Sequence, residues 1–364
     1  MSKNIELWVN RKDFRSTQIV TTDIPAPISG EIVVAIDKFG LTANNVSYAV
    51  SGDMIGYWGY FPATDDWGKV CVWGCANVIE SNCEGIAIGE RLWGFYPMAS
   101  HVLLTPGNIR TDQFTDVTSY RQTLPELYNF YRRTDFEPDA VRQFENERCL
   151  LVPLFTTSFV IYDYLIYNDL FSADQIVIGS VSSKTGLGLA KMLHNEPNIS
   201  AKIVGITSAG NNGFVEQLAC CDQVITYGNE EELDKSLPSA YIDMSGNTGL
   251  TKRLHTLLGD NMVESAMVGA THWDKGGKQE TLPGAKPKFF FAPGHIGTRD
   301  KEWGQGATMR KGMEQGLIVA AQIKELMHIH WVQSAEELEQ TWLNMLDNKI
   351  NPSQGLMVSL LSDE

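Results

Sequence analysis

Apolar and polar positions change period along this chain, and the changes divide it into stretches. From Glu6 to about Leu104 apolar residues alternate in short runs such as GEIVVAIDKFGL (30–41), KVCVWGCANVIES (69–81) and GERLWGFYPMASHVLL (89–104), with Gly30, Gly40, Gly89 and Gly94 at the breaks. Alternation with β-branched content predicts strands, and the close breaks predict a compact, mostly antiparallel β domain. Residues 105–148, polar and rich in Tyr and Arg, read as two short helices separated near Glu137 and Pro138. We take this stretch as an insertion.

Beyond it, strands and helices alternate. QIVIGS (175–180) precedes a helix over 185–194, and AKIVGIT (201–207) one over 211–220. There follow QVITY (223–227), SAYIDMSG (239–246), a helix over 248–258, MVESAMVGA (262–270) and KFFFAPG (288–294). This spacing predicts βαβ units with right-handed crossovers and a doubly wound, Rossmann-type parallel sheet. A long helix from about Gln305 to His328 comes next. Residues 334–361 then read as helix, turn and a final strand without a partner in the parallel sheet, expected to return to the first domain.

Composition adds exclusions. A chain of 364 residues, 43% hydrophobic and 20% charged, is an ordinary globular one, long enough for two domains. Its net charge of −15 argues against nucleic acid or an anionic membrane surface as partner. No stretch reaches the ~20 apolar residues of a membrane span, and the start MSKNIELWVNRKDF has no apolar signal core, so a cytoplasmic protein is expected. Six cysteines without paired CxxC sets read as buried, reduced thiols.

The chemistry concentrates in IVIGSVSSKTGLGLAKML (176–193). A nucleotide loop needs a tight turn after the first strand, close approach of N–H groups to a pyrophosphate, and a small residue where helix crosses strand. Gly186 and Gly188 suit the last two needs, or packing alone. Ser180, Ser182, Ser183 and Thr185 are small or carry hydroxyls, and Lys184 reads equally as a phosphate neutraliser or a solvated lysine. After the second strand, GITSAGNNGF (205–214) carries Thr207, Ser208, Asn211 and Asn212 where an NAD enzyme places Asp or Glu. That substitution favours NADP(H) over NAD.

The order of parts resembles the medium-chain dehydrogenase/reductase superfamily, especially its quinone oxidoreductase and enoyl reductase branch. GEIVVAIDKFGLTANNVSYA is similar to that branch's strand and active-site turn, and GERLWGFYPMASHVLL to its GDRVWG segment. CCDQVITY resembles GADHVIDY, YIDMSGN the fourth-strand D-x-x-G with Gly246, and NKINPSQGLMVSLL the closing strand. More specifically, LWGFYPMASH, the S-x-SSKT-G loop, MVGATHW and FFFAPG resemble a family known by a domain of unknown function, DUF2855. The resemblance implies an α/β chain of a GroES-like β domain and a Rossmann domain. It places the catalytic domain over 1–155, the nucleotide domain over 156–325 and the return over 326–364, in a homodimer.

It also implies site residues. Thr42 and Trp73 stand where zinc-dependent members have Cys and His, so no catalytic metal is expected. Asn44 and Asn45 lie on the turn facing the nicotinamide. Tyr48, Tyr57 and Tyr60 follow where related reductases place a proton donor, Tyr57 the first choice and Tyr60 the second, with aromatic packing as the alternative. Thr157 matches a cleft-lining position. Tyr96 and His101 border the cleft, His101 more simply as a structural histidine. Gly269 would admit the nicotinamide, with Thr271, His272 and Trp273 near the cofactor. The insertion would cap the site through Tyr128, Tyr131, Arg132 and Arg133, or form an edge or dimer element. The expected activity is zinc-independent, NADPH-dependent reduction of a small carbonyl, enone or quinone. A non-catalytic NADP(H) sensor or accessory protein is the alternative, and an enzyme on carrier-bound thioesters a third reading.

Overall fold

The structure is a computed structural model that describes residues 3–268 and 281–361. The chain forms two compact units. The first comprises Met1–Leu150, Met327–Ile350 and Gln354–Glu364, the second Leu151–Leu326 and Asn351–Ser353.

In the first unit β1 (Lys3–Asn10) and β2 (Thr17–Asp23) form an antiparallel hairpin. They are followed by β3 (Ile32–Leu41), β4 (Trp67–Gly68), β5 (Cys71–Ser81), β6 (Arg91–Pro97) and β7 (His101–Leu104). The apolar runs read from the sequence are these strands; β3 and β5 are buried along most of their length because both lie inside a sheet. The segment GERLWGFYPMASHVLL divides into β6 and β7, which pair with different neighbours, β5 and β3.

The insertion departs from its helical reading. Residues 105–148 add β8 (Pro106–Gly107), β9 (Gln113–Asp116) and β10 (Phe130–Arg133) to the sheet, with short 3-10 turns at Ser119–Arg121 and Glu126–Asn129 and α-helical turns at Asp139–Arg142 and Glu145–Leu150 after the strands. β10 pairs antiparallel with β6, Arg132 opposite Trp93. Pairing overrides local periodicity here, since Tyr131 points into the core at 0% exposure between half-buried Phe130 and Arg132.

The second unit is a six-stranded sheet of β11 (Gln175–Gly179), β12 (Lys202–Thr207), β13 (Gln223–Thr226), β14 (Ser239–Asp243), β15 (Met262–Met267) and β16 (Lys288–Phe289). All pairs are parallel and the order is β13-β12-β11-β14-β15-β16, the doubly wound arrangement whose direction reverses between β11 and β14. Gly188 fixes one helix crossing. A Cβ there would lie 2.5 Å from Phe155, so the helices Lys184–Asn195 and Val152–Tyr167 meet at backbone distance. Leu250 and Leu254 of the helix Thr248–Leu258 join a second apolar cluster with Val177, Val204 and Ile206.

Two elements near the chain's end differ from expectation. The strand read over 288–294 stops at Phe289, because Pro293 sits in the first turn of a helix, Ala292–Trp303, where its missing N–H costs nothing. The long helix spans Ala307–Ile323, and β17 (His328–Val332) follows it, unread in the sequence. β17 pairs parallel with β18 (Gln354–Val358), and β18 pairs antiparallel with β3. Between them the helix Ala335–Leu346 buries Leu338 and Trp342, whose Nε1 donates to the Phe14 carbonyl at 2.8 Å.

Candidate functional site

At the end of β11 the chain turns through Ser180, which takes a left-handed backbone with φ of 56°. This is the tight turn that a dinucleotide loop usually makes with glycine, at a cost of about 1 kcal/mol for a serine. Val181 is buried, and its amide donates to Ile206 at 3.1 Å, pinning the loop to β12. Ser183 caps the helix Lys184–Asn195, its hydroxyl accepting from the Gly186 amide at 3.1 Å. Gly186 has no room for a side chain, since a Cβ would stand 2.9 Å from the Ser180 carbonyl.

Ser182 is the junction of this crevice. Its hydroxyl oxygen accepts from Thr207 Oγ1 at 2.9 Å and from Asn211 Nδ2 at 3.2 Å, leaving its own proton to donate. Thr207, fully buried, ends β12; Ser208 follows, half-buried, with its carbonyl accepting from the Asn211 amide. On the other side of the switch point, Asp243 Oδ1 accepts from the amides of Ser245 and Gly246, so Gly246 belongs to the turn after β14. Lys184 is half-buried, Nζ donating to the Pro352 carbonyl at 3.3 Å, and burial lowers its ammonium to about 8.

In the first unit the predicted tyrosines share one aromatic nest. Tyr48 and Tyr57 rings lie 4.5 Å apart, and Tyr60, Phe95 and Tyr128 pack edge-on or tilted around them. Tyr57 and Tyr128 share a hydroxyl–hydroxyl hydrogen bond of 2.8 Å, and Trp73 Nε1 donates to the Tyr48 hydroxyl at 3.2 Å. Asn44 also hydrogen-bonds Tyr48. Burial pushes the Tyr57, Tyr48 and Tyr128 phenols above the ordinary phenol range, so each stays protonated near neutrality. Tyr60 differs, its hydroxyl donating to the Pro125 carbonyl at 2.7 Å. Asn45, 3% exposed, accepts from the Thr42 amide at 2.6 Å and donates to the Cys71 carbonyl at 2.8 Å, holding the turn in shape.

Residues 39–351 match the family described as "Protein of unknown function (DUF2855)". The chain belongs to this family. No curated protein matches it by sequence. Among solved structures it is similar to CurA from Vibrio vulnificus, with a TM-score of 0.60, 15% identity and coverage of 99% of this chain and 100% of that one. The same CurA in complex with NADPH aligns with a TM-score of 0.59 at 15% identity, covering 100% of both chains. The quinone oxidoreductase from Coxiella burnetii aligns with a TM-score of 0.53 at 12% identity, over 99% and 100%. This DUF2855 chain thus has the medium-chain reductase fold, a GroES-like β unit with a Rossmann unit.

The remaining predicted residues of this DUF2855 protein fall in several places. Thr157, half-buried in the helix Val152–Tyr167, donates to the Pro153 carbonyl at 3.4 Å, and Thr185 presents its carbonyl to Ser158 Oγ. His101 is buried with Nδ1 2.9 Å from Ser100 Oγ. Tyr96 is fully buried in the core. Of the insertion residues, Tyr128 enters the nest, whereas Tyr131 donates to the Phe95 carbonyl and Arg132 and Arg133 pair with Asp112 and Glu90. Gly269, Thr271, His272 and Trp273 lie outside the described residues.

The sequence reading missed three residues of the DUF2855 site. Trp93 stacks on Trp73 at 4.7 Å, one wall of the nest. Tyr227, just past β13, hydrogen-bonds Ser180, and the Tyr241 ring lies over Gly179, where a Cβ would be 2.8 Å from its hydroxyl. Their position at or near the carboxyl ends of parallel strands, where ligands of doubly wound sheets gather, is the signal that could have found the two tyrosines.

Proposed function

We propose that this protein is an NADPH-dependent, metal-independent reductase of a small carbonyl, enone or quinone. The observation that carries the reading is Ser182. It is held by Thr207 and Asn211 beside the start of the helix Lys184–Asn195, at the sheet's switch point. This cradle fits a diphosphate, because it offers donors and a helix N-terminus. Ser208, Asn211 and Asn212 stand after β12 in place of a carboxylate, which fits a 2′-phosphate. The solved relatives support this, since CurA and mycobacterial Rv1454c were crystallised with NADPH.

The bound dinucleotide would supply the hydride. Ser182, Thr207, Ser208 and Asn211 would hold its phosphates and ribose, and Lys184 would add a positive charge. The accompanying proton goes to the substrate's oxygen or α-carbon from the Tyr57 phenol, which Tyr128 reprotonates through their shared hydrogen bond. Metal independence rests on the residues at the zinc positions, with Trp73 stacked on Trp93 and the Thr42 amide and hydroxyl both directed at Asn45. The working form would be a cytoplasmic homodimer, the edge of β16 accepting a second copy and the six unpaired cysteines staying reduced.

Titration of NADPH and NADH by nucleotide fluorescence tests the first half, with NADPH expected to bind about tenfold tighter or better. Consumption of NADPH with a panel of quinones and enones tests the second. NADPH binding without turnover by any acceptor would leave a sensor, the reading that the structural hydrogen bonds of Asn45 and Tyr60 favour. Absence of binding by either nucleotide refutes both.

A further inference from the structure

The second unit has a cavity of about 300 Å³ on the flank of its sheet, at the volume where small-ligand pockets begin. It is lined by Tyr164, Lys288, Phe290, Phe291, His295 and Thr298, among others. Tyr164 lies in the last turns of the helix Val152–Tyr167, while Ser158 of the same helix touches the nucleotide loop at Thr185. They are six positions, about 9 Å, apart along the axis, so the cavity lies away from the nucleotide loop, beside the ends of β15 and β16.

Its walls and its charges point to one chemistry. Three successive phenylalanines, Phe289 to Phe291, and Tyr164 supply flat apolar surface. Among the described residues the ionisable lining groups are Lys288 and His295 and no carboxylate lines the space, in a chain of net charge −15. The nearby acids lie behind hydrogen-bond donors. Glu264 accepts from Lys288 at 2.9 Å and from the Tyr164 hydroxyl at 3.3 Å, and Asp163 is bound by His295 at 2.6 Å and by Arg299 at 2.9 Å. Lys288 keeps 54% of its side chain exposed, and its ammonium has three protons, so it can hold Glu264 and a ligand oxygen together. The first turn of the helix Ala292–Trp303, at Gly294 and His295, adds the positive end of a dipole.

We propose that this cavity binds a small planar aromatic anion, a benzoate-like carboxylate, with the ring against Tyr164 and Phe290 and the carboxylate on Lys288. The test is titration of the full chain with 4-fluorobenzoate and, separately, neutral 4-fluorobenzamide, followed by fluorine NMR. The benzoate gives a saturable shift and the benzamide binds at least fivefold more weakly. Lys288→Met weakens the benzoate about fivefold, as loss of one exposed charge pair does. Thr298→Trp, a change at an exposed position that fills the space without touching the core, removes binding. Saturating NADPH leaves the shift in place. Equal binding of the benzamide, unchanged affinity in either variant, or no saturation up to about 10 mM overturns the assignment.

Discussion

Tyr57 and Tyr60 stand three residues apart on one turn, yet their hydroxyls meet different partners. Tyr57 meets another phenol, Tyr128, which is itself half-buried and can pass a proton on, whereas Tyr60 is tied to the backbone of Pro125. Tyr57→Phe is therefore expected to lower kcat about a hundredfold, the scale of a lost general acid, while costing stability only about 1 kcal/mol. Steady-state kinetics with a chemical denaturation curve checks both. Lys184 gives a pH signature. Burial places its ammonium at about 8, so it is charged below that pH and neutral above it. NADPH affinity should fall as pH rises from about 7 to 9. Lys184→Met should bind about tenfold more weakly at pH 7 and lose that pH slope, as read by fluorescence titration. Which side chains could meet was only partly legible in the sequence. Ser182, Thr207 and Asn211 were readable because the loop and the end of an adjacent parallel strand must be neighbours. Trp93 was not placed in the nest, and Tyr128 was read only as one of four capping residues of the insertion, because antiparallel register and a long insertion decide their company.

Among the elements, β10 shows most clearly what local pattern leaves open. Its residues carry a helix-compatible spacing, and only the pairing with β6 and β9 makes them a strand. Gly94 of β6 records the same fact from the other side, since a Cβ there would sit 2.3 Å from the Tyr131 ring. Tyr131 cannot retreat, being fully buried with its hydroxyl on the Phe95 carbonyl at 2.6 Å and an Arg121 donor at 3.2 Å. Gly94→Ala is thus expected to destabilise the protein by about 2 kcal/mol, measurable as a lowered urea midpoint with an unchanged slope. The parallel sheet was far easier to read, because each βαβ unit is contiguous and strand, loop and helix follow in order. Its edge failed for a local reason: Pro293 opens a helix where an apolar run suggested a longer strand.

For the whole molecule, ligand linkage follows from the proposed nucleotide site. NADPH at about 100 times its Kd should stabilise the unit that binds it by about 2.7 kcal/mol, and differential scanning calorimetry should show that transition moving upward while NADH at the same concentration moves it less. The two-unit plan was foreshadowed by the two changes of period, and the return of the last strand by its lack of a place in the parallel sheet. The existence of β17 was not, since HIHWV is short and exposed at three of its five positions.

The strand order β17-β18-β3 carries a consequence for biosynthesis. β18 is an interior member of its sheet, so β3, covered by β7 over Ile32–Ala35, keeps a bare hydrogen-bonding edge at Phe39–Leu41 until residue 358 has emerged from the ribosome. The second unit is contiguous except for Asn351–Ser353 and can assemble while synthesis continues. At about 5–20 residues per second the N-terminal strands wait many seconds for their last companion. The part of the polypeptide made first is thus completed last, and its open edge is what cellular holdases would have to shield meanwhile.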